Sequence, residues 1–257
     1  MSLPLAGKAV LVTGGARRLG RSIVEALAAD GARVAIHHHR SHAEARALAR
    51  ELEQAGYPQP VILQADLRDP EELRALAEEA LRALGRLDVL VNSASVLLRQ
   101  PLGSVSAQAW DAVLDLNLRA YFLLAQALAP ALREARGAII NISDVAGFEP
   151  WPSYLPHSVS KAGVEMLTRG LARVLAPEVR VNGIAPGPVL LGEELSEEAR
   201  RRIIETIPLG RVGTPADVVR AVRFLLASDF VTGTTIVVDG GQLARNRTEG
   251  QRSGDVS

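Results

Sequence analysis

Short apolar runs alternate with longer stretches in which apolar residues recur every three or four positions, and the alternation continues almost to the end of the chain. The short runs are Ala9 to Thr13, Arg33 to His38, Val61 to Gln64, Leu87 to Asn92, Ala138 to Ile142, Val179 to Ile184 and Thr235 to Val238. Their length and their β-branched content predict seven strands. The longer stretches, Ala43 to Ala55, Glu71 to Leu84, Ala107 to Glu134, Ser160 to Leu175 and Ala216 to Leu226, predict amphipathic helices, several with glutamate in the first turn. Alternation of this kind predicts an α/β fold: a doubly wound, seven-stranded parallel sheet with helices on both faces and right-handed crossovers. No linker or internal repeat interrupts it, so residues 1–244 are expected to form a single domain. The polar, glycine-containing stretch 245–257 reads as a frayed tail. The charged segment at about 188–207 reads as a substrate loop beside the cleft.

Composition narrows the partners. With 257 residues, 47% of them hydrophobic, the chain is long enough to bury a full core. Its formal net charge is zero, so no global field draws in nucleic acid or an anionic membrane, and a small-molecule partner is expected. The absence of cysteine removes disulfide and thiolate chemistry. No unbroken apolar run reaches the roughly 18 residues of a membrane span, and the N-terminus lacks the basic flank of a signal peptide. A cytoplasmic location is therefore expected. Only two of the 29 basic residues are lysines, Lys8 and Lys161. Because lysine presents a compact ammonium where arginine presents a fixed fork, Lys161 is a candidate for chemistry.

The turn Thr13-Gly-Gly-Ala-Arg-Arg-Leu-Gly20 follows the first strand and opens the first helix. Glycines there let the backbone approach a pyrophosphate at the positive end of a helix, although such a turn can also be purely structural. After the second strand the chain reads His37-His-His-Arg-Ser41, with no carboxylate to receive an adenosine ribose. Arg40, Ser41 and Arg18 offer instead charge-assisted bonds to a 2′-phosphate, which favours NADP(H). Successive strand residues face opposite ways, so the three histidines predict a polar strand end rather than a metal site.

These motifs, in this order, resemble those of the short-chain dehydrogenases/reductases, and the resemblance extends through Asn182-Gly-Ile-Ala-Pro-Gly-Pro-Val189 and Thr232-Gly-Thr-Thr-Ile-Val-Val-Asp-Gly-Gly241. It implies cofactor contacts from Gly14, Arg17, Arg18, Leu19, Gly20, His39, Arg40, Ser41, Asp66, Leu67, Asn92, Ser93, Ala94, Lys161, Pro186 and Gly187. It also implies a catalytic tetrad whose matching positions are Asn117, Asp144, His157 and Lys161, where the family has Asn, Ser, Tyr and Lys. Arg18 and Asp144 resemble the pteridine reductases of the superfamily, and this implies reduction of a dihydropterin-like C=N bond, with substrate contacts from Ser95, Leu97 and Tyr154. A carbonyl reductase of the 3-oxoacyl kind, or a silent NADP-binding sensor, are the alternatives, because His157 replaces the tyrosine that donates the proton. The resemblance further implies a homotetramer, or a homodimer, formed through the helices at 107–134 and 160–175.

Overall fold

The computed structural model describes residues 4–192 and 195–244. Seven parallel strands lie in the order β3-β2-β1-β4-β5-β6-β7: β1 Ala9–Val12, β2 Arg33–His38, β3 Val61–Gln64, β4 Val89–Asn92, β5 Ala138–Ile142, β6 Arg180–Pro186 and β7 Thr235–Val238. All seven stand where the apolar runs predict them, with ends shifted by one or two residues. Consecutive numbering runs outward in both directions from the β1–β4 pair, so the crossovers reverse there and leave a crevice at the carboxyl ends of those two strands.

The described residues form eight α-helices: α1 Arg18–Ala29, α2 His42–Gln54, α3 Pro70–Leu84, α4 Ala107–Leu114, α5 Ala120–Glu134, α6 Leu155–Leu175, α7 Glu197–Glu205 and α8 Pro215–Ala227. Their ends follow from local chemistry. Asp69 caps α3 by accepting from the Glu71 and Glu72 amides, Pro70 occupies its first turn, and Gly85 closes it at φ 72°. Thr214 and Asp217 form a reciprocal capping box at the start of α8. One core lies on each side of the sheet. Leu73, Leu76, Leu124, Leu128 and Leu132 join α3 and α5 on one face, and Ile23, Val24, Leu27, Val218 and Val222 join α1 and α8 on the other.

Two expectations change. The stretch Ala107–Glu134 is, by length and apolarity, sufficient to cross a membrane, which counting unbroken apolar runs overlooks. Here Tyr121, Leu124, Leu128 and Leu132 are buried against the sheet and α3, so it is a core element. Nor is it one regular helix, because Asp115–Arg119 forms a π-helical turn between α4 and α5. The segment at 188–207 contains α7, an exposed helix that buries no side chain. The tail at 245–257 lies outside the described residues.

Candidate active site

The glycine turn sits at the crevice. Gly14 takes φ +62°, a left-handed conformation that glycine adopts without strain, and a Cβ on Gly20 would stand 2.2 Å from the Gly14 carbonyl oxygen. Only glycine at both places lets β1 enter α1 so tightly. The helix start has no side-chain cap, and its first turn contains no acidic residue. An uncapped, uncontested helix N-terminus is the electrostatic environment a pyrophosphate requires, so the chain fits a dinucleotide here. Thr13, which sequence reasoning passed over, is fully buried, and its hydroxyl accepts from the Ser93 and Ala94 amides at 2.9 and 3.0 Å. It fixes the loop after β4 against the glycine turn. Leu19 packs against the core beside this turn.

The two arginines of the turn diverge. Arg17 stands 3.7 Å from Glu44 in the first turn of α2, the helix that follows the exposed Arg40 and the half-buried Ser41 in the chain. Arg18, at φ 52°, sends its guanidinium the other way, to the Leu190 carbonyl at 2.9 Å in the loop after β6. With its left-handed backbone, Arg18 thus points toward the loop after β6 and not toward the Arg40–Ser41 end of β2, whereas Arg17 pairs with Glu44 on α2, the helix that follows Ser41.

The histidines separate as strand geometry requires. His37 is buried, while His38 meets His42 edge-on, with the rings 5.3 Å apart. His39 Nε2 lies 3.8 Å from Asp66, whose carboxylate is held by Arg68 and pushed down to about 2 by that hydrogen-bonded guanidinium. Leu67 is buried behind it. Asn92 does not face the crevice. Its amide donates to Asn141 Oδ1 at 2.9 Å, and Asn141 donates to Thr168 at 3.0 Å, so Asn92 belongs to a buried polar chain from β4 to α6. The amide nitrogen thus finds its partner inside the sheet, while Asn92 Oδ1 is buried without a hydrogen-bond partner among the described residues. Pro186 ends β6 opposite Val238, and a Cβ on Gly187 would stand 2.8 Å from Asp239 Cβ.

The four tetrad positions converge. Asn117 is fully buried in the π turn, where the widened helix frees its amide to face the neighbouring loop. Its Oδ1 accepts from the Val96 amide at 2.9 Å, and its Nδ2 donates to the Val96 carbonyl at 3.0 Å and to Ser160 Oγ at 3.2 Å. His157 Nδ1 lies 3.2 Å from the same carbonyl and 3.3 Å from the Asn117 amide. Its Nε2 is buried without a hydrogen-bond partner among the described residues and stands 3.5 Å from Asp144 Oδ2. The other Asp144 oxygen accepts from the Ala146 amide at 2.8 Å and fixes the carboxyl group.

One helical turn on, Lys161 is almost fully buried. Its Nζ donates to the Ile142 carbonyl at 2.8 Å and lies 5.4 Å over the Tyr121 ring. Burial pushes its ammonium down to about 8, against the opposing pull of Asp144 and Glu165. The helix begins before Ser160 because Pro156 falls in its first turn, where a missing N–H costs nothing. Tyr154 is consequently the residue before the helix, and its ring meets Trp151 edge-on at 5.9 Å. Trp151, rather than Tyr154, is the aromatic beside the imidazole, stacked at 6.3 Å with 24° between the planes. Ser95, Leu97 and Leu98 are all exposed, Leu97 more than Leu98.

A seven-stranded, doubly wound sheet with this glycine turn and this buried cluster defines a dinucleotide-dependent oxidoreductase. The chain belongs to the short-chain dehydrogenase/reductase superfamily: residues 14–242 match the family model described as enoyl-(acyl carrier protein) reductase. The 3-oxoacyl-[acyl-carrier-protein] reductase of Staphylococcus aureus is 39% identical over 241 residues, covering 91% of this chain and 97% of the relative. The 3beta-hydroxysteroid dehydrogenase 1 of Eggerthella lenta is 38% identical, covering 92% and 94%. A blue fluorescent protein from a metagenomic library, solved in complex with NADPH, superposes with a TM-score of 0.86 at 35% identity, covering 93% of this chain and 98% of that one.

Proposed function

We propose that the protein is an NADP(H)-dependent carbonyl reductase of the 3-oxoacyl type in which His157 donates the proton. The observation that carries this reading is the buried His157 Nε2, free of hydrogen bonds among the described residues and close to a fixed carboxyl group. When bound, the reduced nicotinamide supplies hydride to the substrate carbon. Arg17, Arg40 and Ser41 receive the 2′-phosphate, and the acid-free start of α1 receives the pyrophosphate.

His157 acts as imidazolium, donating through Nε2 to the developing alkoxide while Nδ1–H stays on the Val96 carbonyl. Release of that proton leaves a neutral imidazole in the tautomer its anchor already favours. Asp144 stabilises the charged ring and, being partly exposed, connects it to solvent. Asn117 positions the Val96 backbone on which the ring is anchored, and Lys161 would offer a buried positive charge to the nicotinamide ribose.

The Staphylococcus aureus and Eggerthella lenta relatives support carbonyl and hydroxyl chemistry over pterin chemistry, as does Leu97, an aliphatic residue where stacking would require a ring. Asp144 and Arg18 favour dihydropterin as a second reading. NADPH oxidation followed by absorbance with a 3-oxoacyl thioester, a panel of ketones and a set of dihydropterins separates the two. Turnover of the dihydropterins alone would overturn the carbonyl reading. Tight NADPH binding without any turnover, reversed by His157→Tyr, would identify a silent nucleotide sensor. Exposed Trp110, Phe122, Met166 and Val174 on α4, α5 and α6 support an oligomer through those helices, which light scattering would test against a monomer mass of 27.4 kDa.

A further inference from the structure

His37 lies outside the tetrad and outside the residues expected to touch the cofactor, yet it joins three parts of the nucleotide crevice. Its Nδ1 accepts from the Gly14 amide at 3.1 Å, its Nε2 lies 3.1 Å from the Ala65 carbonyl, and its own carbonyl accepts from the Gly15 amide at 2.9 Å. Gly14 and Gly15 are the first glycines of the phosphate turn, whereas Ala65 immediately precedes Asp66 and Leu67, the residues expected beside the adenosine half. The ring is 2% exposed and therefore cannot exchange these partners for water.

A single state satisfies both side-chain bonds: neutral imidazole with its hydrogen on Nε2. The opposite tautomer sets two donors against each other at Gly14 and two acceptors at Ala65, and the imidazolium also opposes the Gly14 N–H. Burial pushes the ring down to about 4, so the neutral form holds throughout the physiological range. The charged and titratable groups around it are His38 and His39 on the same strand end and Asp66 after β3, with Asp66 itself neutralised by Arg68.

We infer that His37 is a positioning residue which, as one fixed neutral tautomer, sets the phosphate turn against the adenosine wall and thereby sets the affinity for the dinucleotide. This rests on the NADP(H) reading above. Two variants divide the imidazole's bonds between them. Asparagine places an amide oxygen near Nδ1 and keeps the acceptor for Gly14, whereas glutamine places an amide nitrogen near Nε2 and keeps only the donor to Ala65.

Dissociation constants for NADPH, kcat at saturating NADPH, and hydrogen exchange of the Gly14 amide in cofactor-free protein would be compared across wild type, His37→Asn and His37→Gln. The expected result is a Kd within threefold of wild type for H37N. For H37Q the Kd should rise at least tenfold, with kcat changed less than twofold and Gly14 exchange accelerated. Equal affinity in wild type and H37Q would overturn the inference, and so would equal losses in both variants with Gly14 still protected. Wild-type protein that binds no NADPH would refute the nucleotide reading itself, before any variant is compared. Circular dichroism of both variants separates a misfolded chain from a misplaced turn.

Discussion

Replacing Lys161 with methionine should make the protein more stable while abolishing its activity. The lysine sits in the core with its ammonium on a backbone carbonyl and no carboxylate within ion-pair distance among the described residues. The gap between about 8 and the ordinary 10.5 is equivalent to about 3 kcal/mol of unfavourable burial at pH 7. Methionine is similar in length and carries no charge, so it removes that penalty. It also removes the bond to Ile142, worth about 1 kcal/mol, although the Ile142 carbonyl keeps the Tyr121 hydroxyl at 3.3 Å as a donor. The expected gain is about 2 kcal/mol, or roughly 4–8 °C in melting temperature for a chain of this size.

The sign with pH follows from the depressed value. Between about 8 and 10.5 the unfolded lysine holds a proton that the folded one has lost, so wild-type stability rises with pH through that window. The advantage of Lys161→Met should therefore narrow from pH 8 to pH 10. Thermal unfolding of cofactor-free protein at pH 7, 8.5 and 10 measures both effects, and leaving out cofactor avoids a binding contribution to the melting temperature. A variant that melts at or below wild type at pH 7, or an advantage that persists unchanged to pH 10, would refute the reasoning.

Three further outcomes are expected. His157→Phe should lower kcat at least a hundredfold in NADPH-linked carbonyl reduction, and His157→Tyr should retain or exceed wild-type turnover, because a general acid contributes about 10²–10⁴-fold. Gly20→Ala should weaken NADPH binding more than tenfold and cost about 1–3 kcal/mol in denaturant titrations, since its Cβ would meet the Gly14 carbonyl oxygen at 2.2 Å. The neutral state of His37 should make stability fall with pH from 6.5 to about 4, where the unfolded chain binds the proton and the folded one does not. The total is about 3 kcal/mol, and it should be absent from His37→Asn and so appear in full in the difference between the wild-type and variant stability curves in calorimetry.

Periodicity carried the architecture because each strand is short, apolar and bounded by turn residues, and because the parallel sheet buries all but its edges. It failed where the backbone departs from a regular period without changing composition. The apolar pattern from Ala107 to Glu134 passes through the π turn unbroken, since one widened turn at Asp115–Arg119 costs the stripe no residue. Similarly, Pro156 suggests an interruption when read as a helix breaker, yet it is harmless in the first turn of α6.

The tetrad positions were legible through the resemblance to the family motif, whose spacing this chain keeps, and the structure brings Asn117, Asp144 and His157 into one cluster with Lys161 one turn away. What spacing does not encode is side-chain direction. Arg17 and Arg18 are adjacent and chemically identical, and only the structure, with its left-handed backbone at Arg18, reveals that their side chains point to different elements, α2 and the loop after β6. Asn92 matched its motif and still turned inward to Asn141. The bonds of His37 to Gly14 and Ala65 span 23 and 28 residues along the chain, so their partners become evident only once three strands are aligned.

Asn117 and His157 both anchor on the backbone of Val96, with no part in the arrangement for the side chains that follow it. Leu97 and Leu98 are exposed on the same strip of chain, so the surface proposed to meet a substrate and the scaffold that steadies the proposed acid share a main chain but not a side chain. On the proposed reading, replacements at 97 and 98 would redraw which molecules are accepted without loosening His157. A lineage built on this arrangement can change its diet and keep its chemistry.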